Sequence, residues 1–237
     1  MRILITNDDG IEGEGLAVLT KAAKKIGDVT VIAPKFEQSG KSHAIEIHKP
    51  FEVKRVDYMD GVISYTVDST PADCVRYALC GLKEKYDLVL SGINCGLNIG
   101  EDIVYSGTCG AAFEAAYFGA YAVSVSTEPG GFSGIEPHLE SVYRYFKEHG
   151  LLGIHPLYNV NIPKSADGIR ITRQGGPYFR DNFSDEGNNM VLARGYSAYE
   201  ERGDLTLDTE TVFSGCISIT PLSVGRTDET VYRHLTE

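Results

Sequence analysis

The chain has 237 residues, with 22 Lys plus Arg against 33 Asp plus Glu and a formal net charge of −11. That length can bury a substantial core without staples. That charge repels nucleic-acid polymers and anionic membrane surfaces at long range, so a phosphorylated ligand would need a local positive centre. The five cysteines are scattered with no C-x-x-C pair, which suggests neither a disulfide framework nor a zinc site.

Arg2 and the acids at 8 and 9 follow Met1, where a secretory leader would need a basic start and an apolar stretch of roughly 7–15 residues. No apolar run approaches the roughly 18 residues of a membrane span, so the expectation is a cytoplasmic protein without membrane partners. ILIT at 3–6 reads as a buried strand. Behind it Leu16, Leu19, Ala22, Ala23 and Ile26 recur at helical spacing up to Gly27, and DVTVIAP at 28–34 reads as a second strand. Strand, helix and strand make a βαβ unit with parallel strands covered on both faces. AIEIHK, FEVKRV and VISYTV then alternate with period two around Pro50 and the turn DYMDG, as an antiparallel insertion or edge would.

Ser69 or Thr70 before Pro71 predicts a capped helix through Cys80. DLVLSGIN at 87–94 is a third buried strand, GAAFEAAYFGA from Gly110 a small-residue helix, and YAVSVST at 121–127 a fourth strand. Beyond about residue 157, LYNVNIP, IRITRQG, VLARGYSAYE and CISITPL are strand-like, while RDNFSDEGNNM is rich in turn formers. The expected fold is α/β, a doubly wound, mostly parallel sheet in a single domain over 1–237. Its β-rich C-terminal part, about 165–237, forms hairpins of the kind that pair with another subunit.

Ligands of doubly wound sheets bind beyond the carboxyl ends of the parallel strands. Asn7-Asp8-Asp9-Gly10 stands at the first such end. Asp9-Gly10 is also a common turn dipeptide, and a turn or cap with solvated carboxylates is the competing reading. Two converging carboxylates are what a hard divalent cation selects, and such an ion would supply the positive centre that a phosphate requires. Gly40-Lys41-Ser42 matches only the end of a P-loop: the first glycine would fall at Lys35, and HAIEIHK alternates instead of opening a helix. A loop bringing Ser39 or His43 toward the carboxylates and an ordinary solvated loop both remain open.

Ser91 to Ala116 is the richest stretch. Its glycines allow close backbone approach, Asn94 and Asn98 supply neutral polar groups, and Ser106-Gly107-Thr108 opens a helix whose free N–H groups favour phosphate. An ordinary capped loop is the alternative. Cys95 and Cys109 have no arginine within the following seven residues, so both read as packing thiols rather than phosphatase nucleophiles. The six histidines form no H-x-x-x-H pattern, and no G-x-S-x-G elbow is present. Asp73 reads as a first-turn carboxylate or a supporting residue.

Taken in order, NDDG after the first strand, T-P-A-D-C-V at 70–75, S-G-I-N-x-G-x-N at 91–98, Y-S-G-T at 105–108 and N-V-N-I-P at 159–163 resemble the SurE family of stationary-phase survival proteins, from residue 1 to about Leu222. The resemblance implies a Rossmann-like core and C-terminal hairpins exchanged in a homodimer or homotetramer. It implies a metal-dependent nucleotidase acting on nucleoside 5′- and 3′-monophosphates and sometimes on short polyphosphates. Carried over by motif, the ligands of one Mg²⁺ or Mn²⁺ per subunit fall on Asp8, Asp9, Ser39 and Asn94, and the phosphate contacts on Asn98, Ser106, Gly107 and Thr108. Asp8, Asp9, Asn98 and Ser106 would carry catalysis. Ser69 and Cys109 depart from the family's usual glycine and aliphatic residue without removing a ligand. Two other classes use similar chemistry, a phosphate-accepting receiver module and a nucleotide-sugar glycosyltransferase. The receiver needs a later Asp and a Lys at strand ends, where this chain has Ser91-Gly92 and Ser126-Thr127.

Overall fold

The computed structural model describes residues 1–237. The opening unit follows from its apolar spacing: β1 (Arg2–Thr6), α1 (Glu14–Ala23) and β2 (Asp28–Pro34). Ile3 to Thr6 are all buried because helices cover both sheet faces, and α1 turns Leu16, Leu19 and Ala23 onto one of them. β3 (Val53–Arg55), β4 (Ile63–Val67) and α2 (Pro71–Arg76) follow. Thr70 Oγ1 caps α2 by accepting from Asp73 N, and the helix widens into a π turn over Tyr77–Gly81. Next come β5 (Leu88–Cys95), a 3₁₀ turn at Gly100–Val104, α3 (Gly107–Tyr117) and β6 (Ala122–Thr127). The chain continues through α4 (Glu136–Glu148), α5 (Leu151–Ile154), β7 (Leu157–Ile162), β8 (Ile169–Ile171), β9 (Phe179–Gly187) and β10 (Met190–Ser197). It ends with α6 (Asp208–Phe213), β11 (Ile217–Pro221) and α7 (Glu229–Thr236).

Nine strands form one sheet in the order β3-β4-β2-β1-β5-β6-β7-β11-β8. The six from β4 to β7 are mutually parallel, while β3 and β11 run antiparallel to their neighbours β4 and β7. From β1 the chain winds outward to β2 in one direction and from β5 to β6 in the other. The switch point, and the crevice it opens, therefore lies between the ends of β1 and β5. One apolar cluster packs α1 and α4 on one face, and a second packs α2 and α3 on the other.

Three expectations change. AIEIHK is not a strand: residues 44–49 are irregular and largely exposed, and Thr70 Oγ1 and Asp73 Oδ2 take the Ala44 carbonyl and Glu46 N–H that a ladder would have used. VISYTV supplies β4, which pairs antiparallel with β3 yet also extends the main sheet in parallel with β2. RDNFSDEGNNM mostly forms β9, and only its end turns, with Asn188 and Asn189 at φ 53° and 60°. Its polarity reads as loop because almost every residue of the β9–β10 hairpin is exposed, so no buried face imposes a period of two. None of helices α4 to α7 is among the sequence expectations, although Leu139, Val142 and Phe146 carry the apolar spacing of α4. No helix is long and apolar enough to cross a membrane.

Candidate metal and phosphate site

The end of β1 delivers Asn7, Asp8 and Asp9 into the crevice, and the turn is closed by Gly10 at φ +92°, where an L side chain is strained. Asn7 stabilises that turn by donating from Nδ2 to Gly10 O at 2.9 Å. Asp8 is 4% exposed and Asp9 half-buried, and neither takes part in any ion pair. The Asp8 Oδ1 atom accepts from the hydroxyl of buried Thr108. Burial pushes the Asp8 carboxyl up to about 6, with the Thr108 hydroxyl opposing and the Asp9 charge adding to the rise. Asp9 is raised too, first by burial, while the N–H of Cys95 donating to Oδ2 at 3.4 Å opposes and the Glu37 charge adds.

The remaining expected ligands border this pair. Asn94 sits at the bulged end of β5 beside β1, and its Nδ2 donates to Gly96 O at 2.8 Å, leaving the amide oxygen without a protein donor. Ser39 is exposed, on a loop tied to Asp8 where Gln38 N donates to the Asp8 carbonyl at 2.7 Å. Its hydroxyl donates to Glu37 Oε1 at 2.6 Å, which leaves oxygen lone pairs free. Two carboxylates, an amide oxygen and a hydroxyl form an all-oxygen donor set with uncompensated negative charge, the chemistry that suits Mg²⁺ or Mn²⁺. No group of three or more His, Cys, Asp or Glu side chains gathers anywhere in the chain, this corner included, so a cation here would rely on two carboxylates and neutral oxygens.

Opposite the acids, α3 begins. Ser106 is its N-cap and accepts from Cys109 N at 3.0 Å, so its own hydroxyl proton is available. Gly107 faces Asp8 so closely that a Cβ there would lie 3.0 Å from Asp8 Cβ and 3.2 Å from Oδ2. The first turn of α3 and the Asp8 carboxylate are thus brought together across 100 residues of sequence. Asn98, 6% exposed, is held on three sides: its N–H donates to Asn161 Oδ1 at 2.8 Å, its carbonyl accepts from Asn159 and Asn161, and its Nδ2 donates to Ser126 Oγ at 2.9 Å. The second amide proton of that Nδ2 is left over.

One expectation fails here and one open alternative is decided. Cys95 is exposed and does not pack, because the bulge at Ser91/Asn94 lifts the strand end out of the core; Cys109 is buried as expected, its thiol pushed up to about 11 by burial. His43 does not approach the carboxylates. It crosses α3 instead, and its Nε2 meets Glu114 Oε2 at 2.5 Å. Asp73 is a loop staple, accepting from Ser69 Oγ and Glu46 N. Residues missed in the sequence include Glu37, beside Ser39 and Asp9, and the supporting trio Ser126, Asn159 and Asn161. The two asparagines alternate on β7 within N-V-N-I-P, a period-two signal that points both to one face. Asp208 was missed as well; it accepts from Gly100 N and Gly175 N and pins the glycine-rich loop.

Comparison with known proteins shows what the whole chain is similar to. The sequence profile of a family described as Survival protein SurE matches residues 3–181. The 5′-nucleotidase SurE of Thermoanaerobacter pseudethanolicus is 40% identical over 239 residues, covering 96% of this chain and 94% of that protein. The protein of the same name from Gemmatimonas aurantiaca is 36% identical over 258 residues, covering 100% and 98%. Among solved structures, the SurE protein from Aquifex aeolicus superposes with a TM-score of 0.80 at 30% identity over the full length of both chains.

Proposed function

Because the chain belongs to the SurE family, whose relatives above carry the name 5′-nucleotidase, we propose that it is a divalent-metal-dependent phosphomonoesterase. It hydrolyses nucleoside 5′- and 3′-monophosphates to nucleoside and phosphate, and acts on short polyphosphates. The observation that carries this reading is the pair of carboxylates without a cationic partner set against the first turn of α3, to which Asp8 is joined by the Thr108 hydrogen bond.

Asp8, Asp9, Asn94 and Ser39 would hold one Mg²⁺ or Mn²⁺, which when bound supplies positive charge to the phosphoryl oxygens and to the water that attacks phosphorus. The chain's own groups do the rest. The N–H groups of the first turn of α3 and the Ser106 hydroxyl orient the phosphoryl group. The spare Asn98 proton meets the charge that spreads over its oxygens as the new P–O bond forms and the ester P–O bond breaks. Ser126, Asn159 and Asn161 keep Asn98 in place, so the donor is preorganised before substrate arrives. Thr108 keeps Asp8 in one orientation.

Self-association as a homodimer or homotetramer belongs to the same reading. It is supported by exposed Phe183, Val191, Leu192 and Tyr196 on the β9–β10 hairpin and by Tyr232 and Leu235 on α7, which has no buried residue. Five free cysteines suit a reducing cytoplasm. The test is a phosphate-release panel across nucleoside 5′- and 3′-monophosphates and tripolyphosphate, with Mg²⁺, Mn²⁺ or chelator. Release that needs metal and disappears in Asp8→Asn supports the assignment. Turnover unchanged by chelation, or none from any nucleotide, overturns it.

A further inference from the structure

The loop from Lys35 to Lys49 carries Ser39; apart from the α2-cap bonds to Ala44 and Glu46, it is clamped on both sides of Ser39. At its near end Gln38 N donates to Asp8 O at 2.7 Å. At its far end Ser42, at φ +55°, donates from N to Tyr105 O at 2.9 Å and from Oγ to Val104 O at 2.6 Å. Ser42 lies so close to α3 that a Cβ on Gly110 would be 2.4 Å from its carbonyl oxygen. His43 follows, packed near Phe113 with ring centroids 6.1 Å apart, and its Nε2 meets Glu114 Oε2 at 2.5 Å. Glu114 is 5% exposed, and its other oxygen accepts from Arg76 Nη1 of α2 at 2.9 Å. Burial would raise the Glu114 carboxyl, yet the hydrogen bonds from His43 and Arg76 outweigh it and hold the group below its ordinary value.

Glu114 stands seven positions, about two helical turns, beyond Gly107 on α3. It therefore ties the helix that presents phosphate donors to the loop that presents Ser39. We infer that His43 is a positioning residue: bonded to Glu114, it fixes the far end of the Ser39 loop on α3, so that the metal-side and phosphate-side halves of the site hold one spacing. This rests on the reading of Ser39, Asp8 and Asp9 as metal ligands. His43 touches neither reacting atoms nor metal ligands.

The test compares His43→Leu, which keeps an apolar body beside Phe113 but cannot donate to Glu114, with His43→Gln, whose amide reaches a similar position with an N–H. Three quantities are read on the full chain: the Mn²⁺ dissociation constant without substrate, KM and kcat for a nucleoside monophosphate at saturating Mn²⁺, and amide hydrogen exchange over residues 36–46. His43→Leu should weaken Mn²⁺ binding and raise KM by roughly tenfold, the scale of one lost hydrogen bond to a charged group, with kcat changed less than about threefold. Exchange over 36–46 should quicken, and His43→Gln should recover most of each effect. If His43→Leu exchanges and binds Mn²⁺ like the parent, or if His43→Gln is as impaired as His43→Leu, the inference is overturned. A parent protein that binds no Mn²⁺ overturns the metal reading and the role given to Ser39, whereas weakened Mn²⁺ binding in His43→Leu with unchanged loop exchange overturns the latch alone.

Discussion

Replacing Asp8 by Asn should abolish turnover yet make the metal-free protein more stable at neutral pH. In the folded chain Asp8 is buried and has no cationic partner, and burial pushes its carboxyl up to about 6 from an ordinary value of 3.8. Each pH unit between folded and unfolded pKa values is worth about 1.4 kcal/mol, so the ionised carboxylate costs roughly 3 kcal/mol above pH 6. The sign follows from proton binding. Between about pH 4 and 6 the folded state holds the proton that the unfolded state has released, so stability falls as pH rises and the penalty is complete above the folded pKa. Asparagine keeps the acceptor for Thr108 but turns an N–H₂ toward the position of Oδ2, and an unmade hydrogen bond there returns about 1 kcal/mol. The net gain is about 2 kcal/mol at pH 8 in chelator and close to zero, or slightly negative, at pH 4. Urea unfolding at fixed protein concentration, at both pH values, measures it. Added Mn²⁺ should stabilise the parent and not the variant, closing the gap. A variant no more stable than the parent at pH 8, or a difference independent of pH, would refute the claim that an uncompensated charge is stored at this strand end.

Asn98→Ala should lower kcat about 10²–10³-fold if its amide meets developing charge, measured as phosphate release; Ser126→Ala, which loosens that amide, should cost less. Gly15→Ala would place a Cβ 1.9 Å from Ile93 O, forcing α1 off β5, and a loss of about 1–3 kcal/mol in urea unfolding is expected. The depressed Glu114 carboxyl stabilises the fold above its ordinary value of 4.5, and that contribution is lost as pH falls through its lower folded value. Glu114→Gln should therefore be less stable than the parent by about 1–3 kcal/mol at pH 7 and converge with it in acid. Leu192→Asp on the exposed hairpin should reduce the sedimenting mass if that face joins two copies.

Much of the site was readable from local rules. A polar cluster directly after an apolar strand must lie at a sheet end, and a Ser-Gly-Thr start must open a helix with free N–H groups; both depend on neighbours within a few residues. The Asp pair and Asn94 therefore stand at the ends of β1 and β5, and Ser106 caps α3, as local pattern predicts. The parallel core was equally legible, because strands buried on both faces are predominantly apolar. Only tertiary structure decided what depends on distant partners. His43 was directed to Glu114, 71 residues away, and Gly100 to Asp208, 108 residues away. AIEIHK alternates like a strand but found its hydrogen bonds in the α2 cap, whereas the polar residues of β9 were drawn into a ladder by β10. Periodicity records which face a segment buries. It is silent where a segment buries none, and it cannot say which remote group will meet a side chain once the sheet has closed.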